Sequence, residues 1–344
     1  MIDAFKTLKF AASDALAGLR GALVEQPTAL AGRETIQIIV LREVQDFAIF
    51  RTEDTRELNT VWTPAKADGA GEIERVAFLA TKQKGAESRE LEALLRTWNA
   101  DAKRDAKECY LKSQLCMECP RCALFGATDV SKGEKGANIK HRIAYATAFS
   151  LLAVDPTLRE THTFNGVDGA TQLTGQTLGE RQSVRPGGLF GSIVTLRAAT
   201  ELELILTLKV LLSCTRYGAE TRIGGIVRNH VVALVAAHEE ILSPLELTLK
   251  LSGSEPSSLK SLIGPILDDY RQRCGTPSTA AVLKPEELEL LIDAVQKVAV
   301  TKELLDRAYQ AAQGLRTSQA GYMAKPPKEK KPPKEKKPAK SEQT

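Results

Sequence analysis

Four cysteines fall within fourteen residues: Cys109, Cys116, Cys119 and Cys122, in the run CYLKSQLCMECPRC. The spacing is C-x6-C-x2-C-x2-C. Two C-x2-C steps share Cys119, so short turns bring three thiols together and the fourth returns over six residues. No other local pattern here restricts the backbone so tightly. Tetrahedral zinc takes four such ligands, and the spacing predicts a zinc centre. An iron–sulfur cluster accepts the same ligand set. Unmetallated thiols packed as small hydrophobes are the third reading. Lys112, Glu118 and Arg121 interrupt the run, which argues against an ordinary core segment. Four sulfurs leave no open position for water, so the centre is expected to be structural. Cys214 and Cys274 stand alone and are expected to be core or surface thiols. Disulfides are disfavoured. The opening MIDAFKTLKFAASDALAGLR is amphipathic and has no apolar run followed by a small-residue cleavage site, which points to a reducing, cytoplasmic setting.

Charge has to be read by region. The 344 residues carry a net +4, but the end from Lys325 to Thr344 holds eight Lys and three Glu, a net of +5. The body is therefore at −1, and any nucleic-acid surface must be a local patch rather than a global field. The terminal KPPKEKKPPKEKKPAKSEQT contains PPKEKK twice. Proline and like charge prevent a packed core there, so an extended, disordered tail is expected. No apolar stretch is long enough to span a bilayer.

Strands and helices alternate without a regular βαβ rhythm, which predicts an α+β chain. Thr35–Arg42 and Phe47–Thr52 read as an antiparallel hairpin, with Arg42, Glu43 and Arg51 near its ends. Ser88–Trp98 has helical spacing of Leu91, Leu94, Leu95 and Trp98. Residues 161–191 hold seven glycines and few large aliphatics. Such a segment cannot build its own core and fits a long projecting hairpin. Ser192–Arg197 and His230–Ala237 read as strands, as does the alternating Leu245–Leu251 (LELTLKL). Thr200 and Glu203 form a capping box ahead of a helix reaching Leu212. The last third reads as three helices, Leu259–Arg271, Pro285–Val300 and Thr301–Leu315.

The segment RYGAETRIGGIVR places Arg216, Arg222 and Arg228, Tyr217, and Gly218, Gly224 and Gly225 within thirteen residues. Glycine lets a backbone approach a phosphate, arginine binds phosphate bidentately, and tyrosine can stack on a base. The alternative is a glycine-rich turn whose arginines pair with Glu220 and nearby acids. A second basic run, Lys132, Lys135, Lys140 and Arg142 beside His141, either tracks a nucleic-acid backbone or is a solvated face. There is no Walker loop, GxGxxG, GxSxG or HExxH pattern. His162 alone is weak evidence for a catalytic base.

Four segments carry a resemblance: IVLREVQDFAIFRT at Ile39–Thr52, THTFNGVDGATQLTGQTLGE at Thr161–Glu180, RPGGLFGSIVTLR at Arg185–Arg197 and RYGAETRIGGIVRNH at Arg216–His230. Together they resemble the backbone subunit of the type I-D CRISPR effector complex (Cascade), a Cas-seven-type member of the RAMP superfamily. The tail is outside that pattern. The resemblance implies a modified RRM-like (ferredoxin-like) core over 35–324. It would follow an N-terminal helical segment, 1–34, and precede the tail, 325–344. Its insertions would be a zinc-binding part at 105–125, a thumb hairpin at 161–186 and a helical part at 255–316. It implies a non-enzymatic subunit that coats CRISPR RNA as a head-to-tail filament of its own copies. With other Cascade subunits it would present the guide to target DNA, and target RNA stays open. Specificity would then lie in base pairing, and the protein would hold the backbone. The RNA-binding set expected on these grounds is Arg42, Arg51, Lys140, Arg142, Arg216, Tyr217, Gly218, Arg222, Gly224, Gly225 and Arg228. Structural Zn2+ would sit on the four cysteines. Two competing functions are a metal-dependent ribonuclease acting on target RNA through Asp168, and a zinc-stabilised DNA-binding module using the tail.

Overall fold

The strand β1 (Thr35–Val44) explains most of the architecture. Its run TIQIIVL is almost continuously apolar, as befits a strand covered on both faces. Ile36, Ile38 and Val40 enter one apolar core and Ile39 and Leu41 enter another, the period-2 alternation of a pleated strand. Each such buried side chain contributes about 1.5–3 kcal/mol. The computed structural model describes residues 16–52, 55–110, 114–128 and 138–323. The expected tail, Lys112, Lys132, Lys135 and residues 1–15 of the N-terminal segment lie outside them.

Around β1 the strands are β2 (Thr60–Pro64), β3 (Glu72–Phe78), β4 (Ala127–Thr128), β5 (Asn138–Ile139), β6 (Ile143–Tyr145), β7 (Ala148–Ser150), β8 (Arg159–Val167), β9 (Thr174–Val184), β10 (Leu189–Arg197), β11 (Val227–Ala237) and β12 (Ala281–Val282). The main sheet runs β12-β11-β1-β10-β7-β3-β2, with β6 also paired to β10. Every pair in it is antiparallel. The first strand thus lies between two later ones, the order of an RRM-like sheet. The helices are α1 (Ala80–Asp101), α2 (Pro120–Phe125), α3 (Glu201–Ser213), α4 (Pro244–Leu251), α5 (Leu259–Arg273), α6 (Pro285–Lys297) and α7 (Lys302–Met323). Apolar residues of α1, α2, α3, α6 and α7 fill one core, and those of α4 and α5 fill the other. This is the α+β class expected.

The capping box ahead of α3 forms as anticipated: Thr200 Oγ1 accepts from Glu203 N at 3.2 Å and Glu203 Oε2 accepts from Thr200 N at 2.9 Å. The glycine-rich stretch becomes the hairpin β8–β9, a separate two-stranded sheet with Val167 and Leu173 exposed near its tip.

Two local expectations are corrected. Phe47–Thr52 does not pair with β1, because β10 and β11 already occupy both edges of that strand. It exchanges backbone bonds with the hairpin base instead: Ala48 N to Val184 O at 3.1 Å and Val184 N to Ala48 O at 2.7 Å. Leu245–Leu251 is helical, not extended. Ser243 and Glu246 form a capping box with Pro244 in the first turn, a strong start signal. Leu247 and Leu251, one turn apart, then face the core.

Candidate functional site

The glycine-rich loop between α3 and β11 is folded back on itself and against the Phe47–Arg51 segment. Tyr217 N donates to Gly225 O at 3.0 Å, Gly225 N to Phe47 O at 2.8 Å, and Ala219 N to Ile49 O at 2.9 Å. The glycines serve this backbone-on-backbone packing. Gly225 has φ +74°, and a Cβ there would stand 2.3 Å from Tyr217 O; one on Gly218, φ +91°, would stand 2.6 Å from Ile49 O. Gly224 abuts Phe47 O in the same way. The loop is therefore a fixed platform that presents Arg216 and Arg222 outward, with Arg228 next to it at the start of β11, all three exposed. Arg216 Nη1 donates to Gly224 O at 2.9 Å, which orients its guanidinium.

The hairpin base flanks this platform. Arg51 Nη2 bonds Glu220 Oε1 at 3.2 Å, and Arg181 of β9 pairs with the same carboxylate. So part of the basic charge is neutralised by Glu220, while Arg222 and Arg228 stay open to solvent. His162 Nε2 lies 3.0 Å from Ser183 Oγ, and its ring meets Phe47 edge-on at 4.6 Å. It packs the hairpin base onto the Phe47 segment. At the tip, Asp168 Oδ1 accepts from Ala170 N, Thr171 N and Thr171 Oγ1 at 3.0, 2.7 and 2.9 Å. Those bonds, led by the Thr171 N–H, hold its carboxyl below the usual range. Its visible task is to close the hairpin turn.

Besides the buried Gly224 and Gly225, three side chains expected at the RNA surface are inside the protein. Tyr217 and Arg42 are fully buried. Arg42 Nη1 lies 2.7 Å from Glu87 Oε1, 3.2 Å from Tyr217 Oη and 2.9 Å from Asn229 Oδ1. Tyr217 Oη donates to Glu87 Oε1 at 2.9 Å and Tyr145 Oη to Glu87 Oε2 at 2.6 Å. Burial alone would lower the Arg42 pKa, but the Glu87 carboxylate overrides it and holds the guanidinium above its ordinary value. A buried tyrosine with its hydroxyl committed cannot stack on a base. Arg142 is also buried, donating to Glu203 and to the carbonyls of Ala198 and Ala123. The cap residue of α3 thus has a second role as its counter-ion. Lys140 is exposed but lies elsewhere, sharing a cavity with His141 and Arg197. Glu87 was missed in the sequence, although a signal existed. Continuing the Leu95–Leu91 face of α1 upward by fours reaches Glu87 and Gln83, and both are buried.

The four cysteines do converge. One sulfur from each lies within 4.8 Å of every other. Tetrahedral zinc with Zn–S bonds of about 2.3 Å needs sulfurs somewhat under 4 Å apart, so the set fits a metal ion with small adjustment. Local structure builds it. Cys119 caps α2, its Sγ accepting from Cys122 N at 3.4 Å, with Pro120 in the first turn. Met117 takes φ +62° in the knuckle between Cys116 and Cys119. Tyr110 and Gln114 exchange backbone bonds in the Cys109–Cys116 return. Bonding from Cys109, Cys119 and Cys122 holds the Cys116 thiol low. The cluster is not a surface appendage, as the interleaved charges suggested. Cys109, Cys119 and Cys122 belong to the main apolar core, and buried Arg121 bonds Ser88 Oγ at 3.0 Å.

The chain is similar to the crystal structure of Thermofilum pendens Csc2, with a TM-score of 0.64 and 18% identity over 90% of this chain and 97% of that one. At that identity the likeness concerns the fold. It is more distantly similar to a chain of a CRISPR RNA-guided surveillance complex, pre-nicking (TM-score 0.46, 16% identity, 70% and 86% of the two chains). Its likeness to a chain of a Type IV-B CRISPR Complex is weaker still (0.38, 15%, 56% and 89%). No curated protein matches it. The Csc2 CRISPR family model matches residues 22–317, and the chain therefore belongs to the Csc2 CRISPR family.

Proposed function

We propose that this chain is a non-catalytic backbone subunit of a type I-D Cascade, which binds CRISPR RNA along its length and assembles head to tail with its own copies. The observation that carries the reading is the exposed triad Arg216, Arg222 and Arg228, on and next to a fixed glycine platform beside the β8–β9 hairpin, within the family-matched region. Exposed arginines on fixed backbone suit phosphate contacts, which position a strand without reading its sequence. Head-to-tail contacts are heterologous and generate open filaments, so length would follow the RNA. The other partners would be further Cascade subunits and target DNA paired to the guide.

The four cysteines would hold Zn2+, whose role is to lock the Cys109–Cys122 segment onto the core. Thiolates must shed protons to bind it, so metal uptake and folding of the segment are linked.

The test is co-expression with a CRISPR RNA, followed by native mass and metal analysis of the recovered complex. The reading expects several copies per RNA and about one zinc per chain. A monomer free of nucleic acid that ignores added guide would overturn it. For the non-enzymatic part, wild type and Asp168→Ala are compared on target RNA. Cleavage by the first and not the second would show a ribonuclease.

A further inference from the structure

A cleft of about 570 Å³ lies between α1 and the glycine platform. We infer that it is a second wall of phosphodiester contact for single-stranded RNA, formed by Lys82 and Arg89 of α1 facing Arg216 of the loop. This rests on the RNA-binding reading above and extends it to residues outside the motif.

The cleft carries three cations and one carboxylate, Glu90, with the hydroxyls of Thr81, Thr215 and Thr221. Lys82 and Arg89 are seven residues apart, two helical turns or about 10.5 Å along one face. Between them Gly85 has no side chain, and a Cβ there would lie 3.5 Å from Arg89 Nη1. That is ordinary van der Waals contact, so the Arg89 guanidinium lies back along the helix over Gly85. Beside the platform, Arg51 and Arg181 share Glu220 and are neutralised by it. Among the described residues, Lys82, Arg89 and Arg216 have no carboxylate in salt-bridge range, and the one side-chain bond of Arg216 goes to a carbonyl. Three unpaired like charges facing one cavity repel each other until a polyanion enters. Cys214 also lines the cleft, but burial pushes its thiol up to about 12, so it adds no negative charge at neutral pH. The cleft opens directly onto the platform, because Arg216 and Gly218 belong to both. A strand crossing Arg222 and Arg228 would thus continue into it.

The experiment is fluorescence anisotropy of an unstructured RNA oligonucleotide with the full chain, titrated across a salt series. For single strands each lost phosphate contact lowers the log–log salt slope by about 0.7. Lys82→Gln/Arg89→Gln should lower it by about 1.4 and weaken binding about tenfold or more at fixed salt. Glu90→Gln should tighten binding, an effect that a merely structural role of this face would not produce. The charge-keeping Lys82→Arg/Arg89→Lys should retain the wild-type slope. Lys297→Gln on α6 serves as the charge control and should leave slope and affinity unchanged. If wild type binds RNA but the Gln pair keeps its affinity and slope, or if Glu90→Gln fails to tighten, the cleft proposal falls and the RNA reading stands. If wild type binds no RNA, the functional reading falls first. Should the Gln pair not fold, the Glu90→Gln result decides.

Discussion

The buried pair Arg42–Glu87 yields the sharpest test of where the RNA surface is not. Both side chains are 0% exposed and 2.7 Å apart. Arg42→Met would leave the Glu87 carboxylate buried with only the hydroxyls of Tyr217 and Tyr145 as donors. Stranding one charge of a buried pair costs about 3–5 kcal/mol. Glu87→Leu should cost a similar amount, since the guanidinium would keep only Tyr217 Oη and Asn229 Oδ1. Removing both charges together is different. Apolar replacement of a buried pair is often close to neutral, and Arg42 Nε and Nη2 already lack partners. Arg42→Met/Glu87→Leu should therefore be more stable than either single variant, with a coupling of at least about 2 kcal/mol. Urea denaturation followed by the fluorescence of Trp62 and Trp98 measures all four corners of the cycle. Singles that add within about 0.5 kcal/mol would refute the pairing argument. The double variant should also bind RNA with the wild-type salt slope. If it folds but loses about 0.7 of slope, Arg42 contacts RNA and the burial argument is wrong.

Three further outcomes follow from the same structure. Gly225→Ala forces a side chain at φ +74° against Tyr217 O and should cost about 1–3 kcal/mol or more, whereas Gly169→Ala, with open space around it, should cost under about 0.5; equal denaturation midpoints for the two would sink the platform argument. Cys122→Ser should abolish stoichiometric metal and lower the melting temperature, and a chelator-treated wild type with unchanged melting would show that no metal supports the fold. Burial pushes the Tyr309 hydroxyl from 10.0 up to about 12. Above pH 10 the unfolded chain loses that proton and the folded one keeps it, so stability should fall between pH 10 and 12 by an amount of order 2–3 kcal/mol; a Tyr309→Phe profile of equal steepness there would exclude Tyr309 as the cause.

Much of the candidate site was legible because its signals are local. The Thr200–Glu203 cap, the hairpin made from a coreless glycine-rich stretch, the closeness of four cysteines and the outward Arg216, Arg222 and Arg228 all follow from residues near one another in the chain. Local reading failed where two patterns competed. LELTLKL alternates like a strand, yet Ser243 and Pro244 just ahead of it and Glu246 within it start a helix, and the cap prevails over the alternation.

The rest is decided in three dimensions. Arg42, Arg142 and Tyr217 look like nucleic-acid residues by type, and nothing adjacent to them says otherwise. Their partners are remote: Asn229 lies 187 positions from Arg42, and Glu203 lies 61 from Arg142. Only after β1 is enclosed by β10 and β11, and α1 is laid across the sheet, does Glu87 meet Arg42. Burial depends on what the whole chain places around a side chain. Residue type and spacing alone thus marked a basic, glycine-rich surface and a four-thiol centre, and tertiary packing decided which cations face a ligand and which are held by the core.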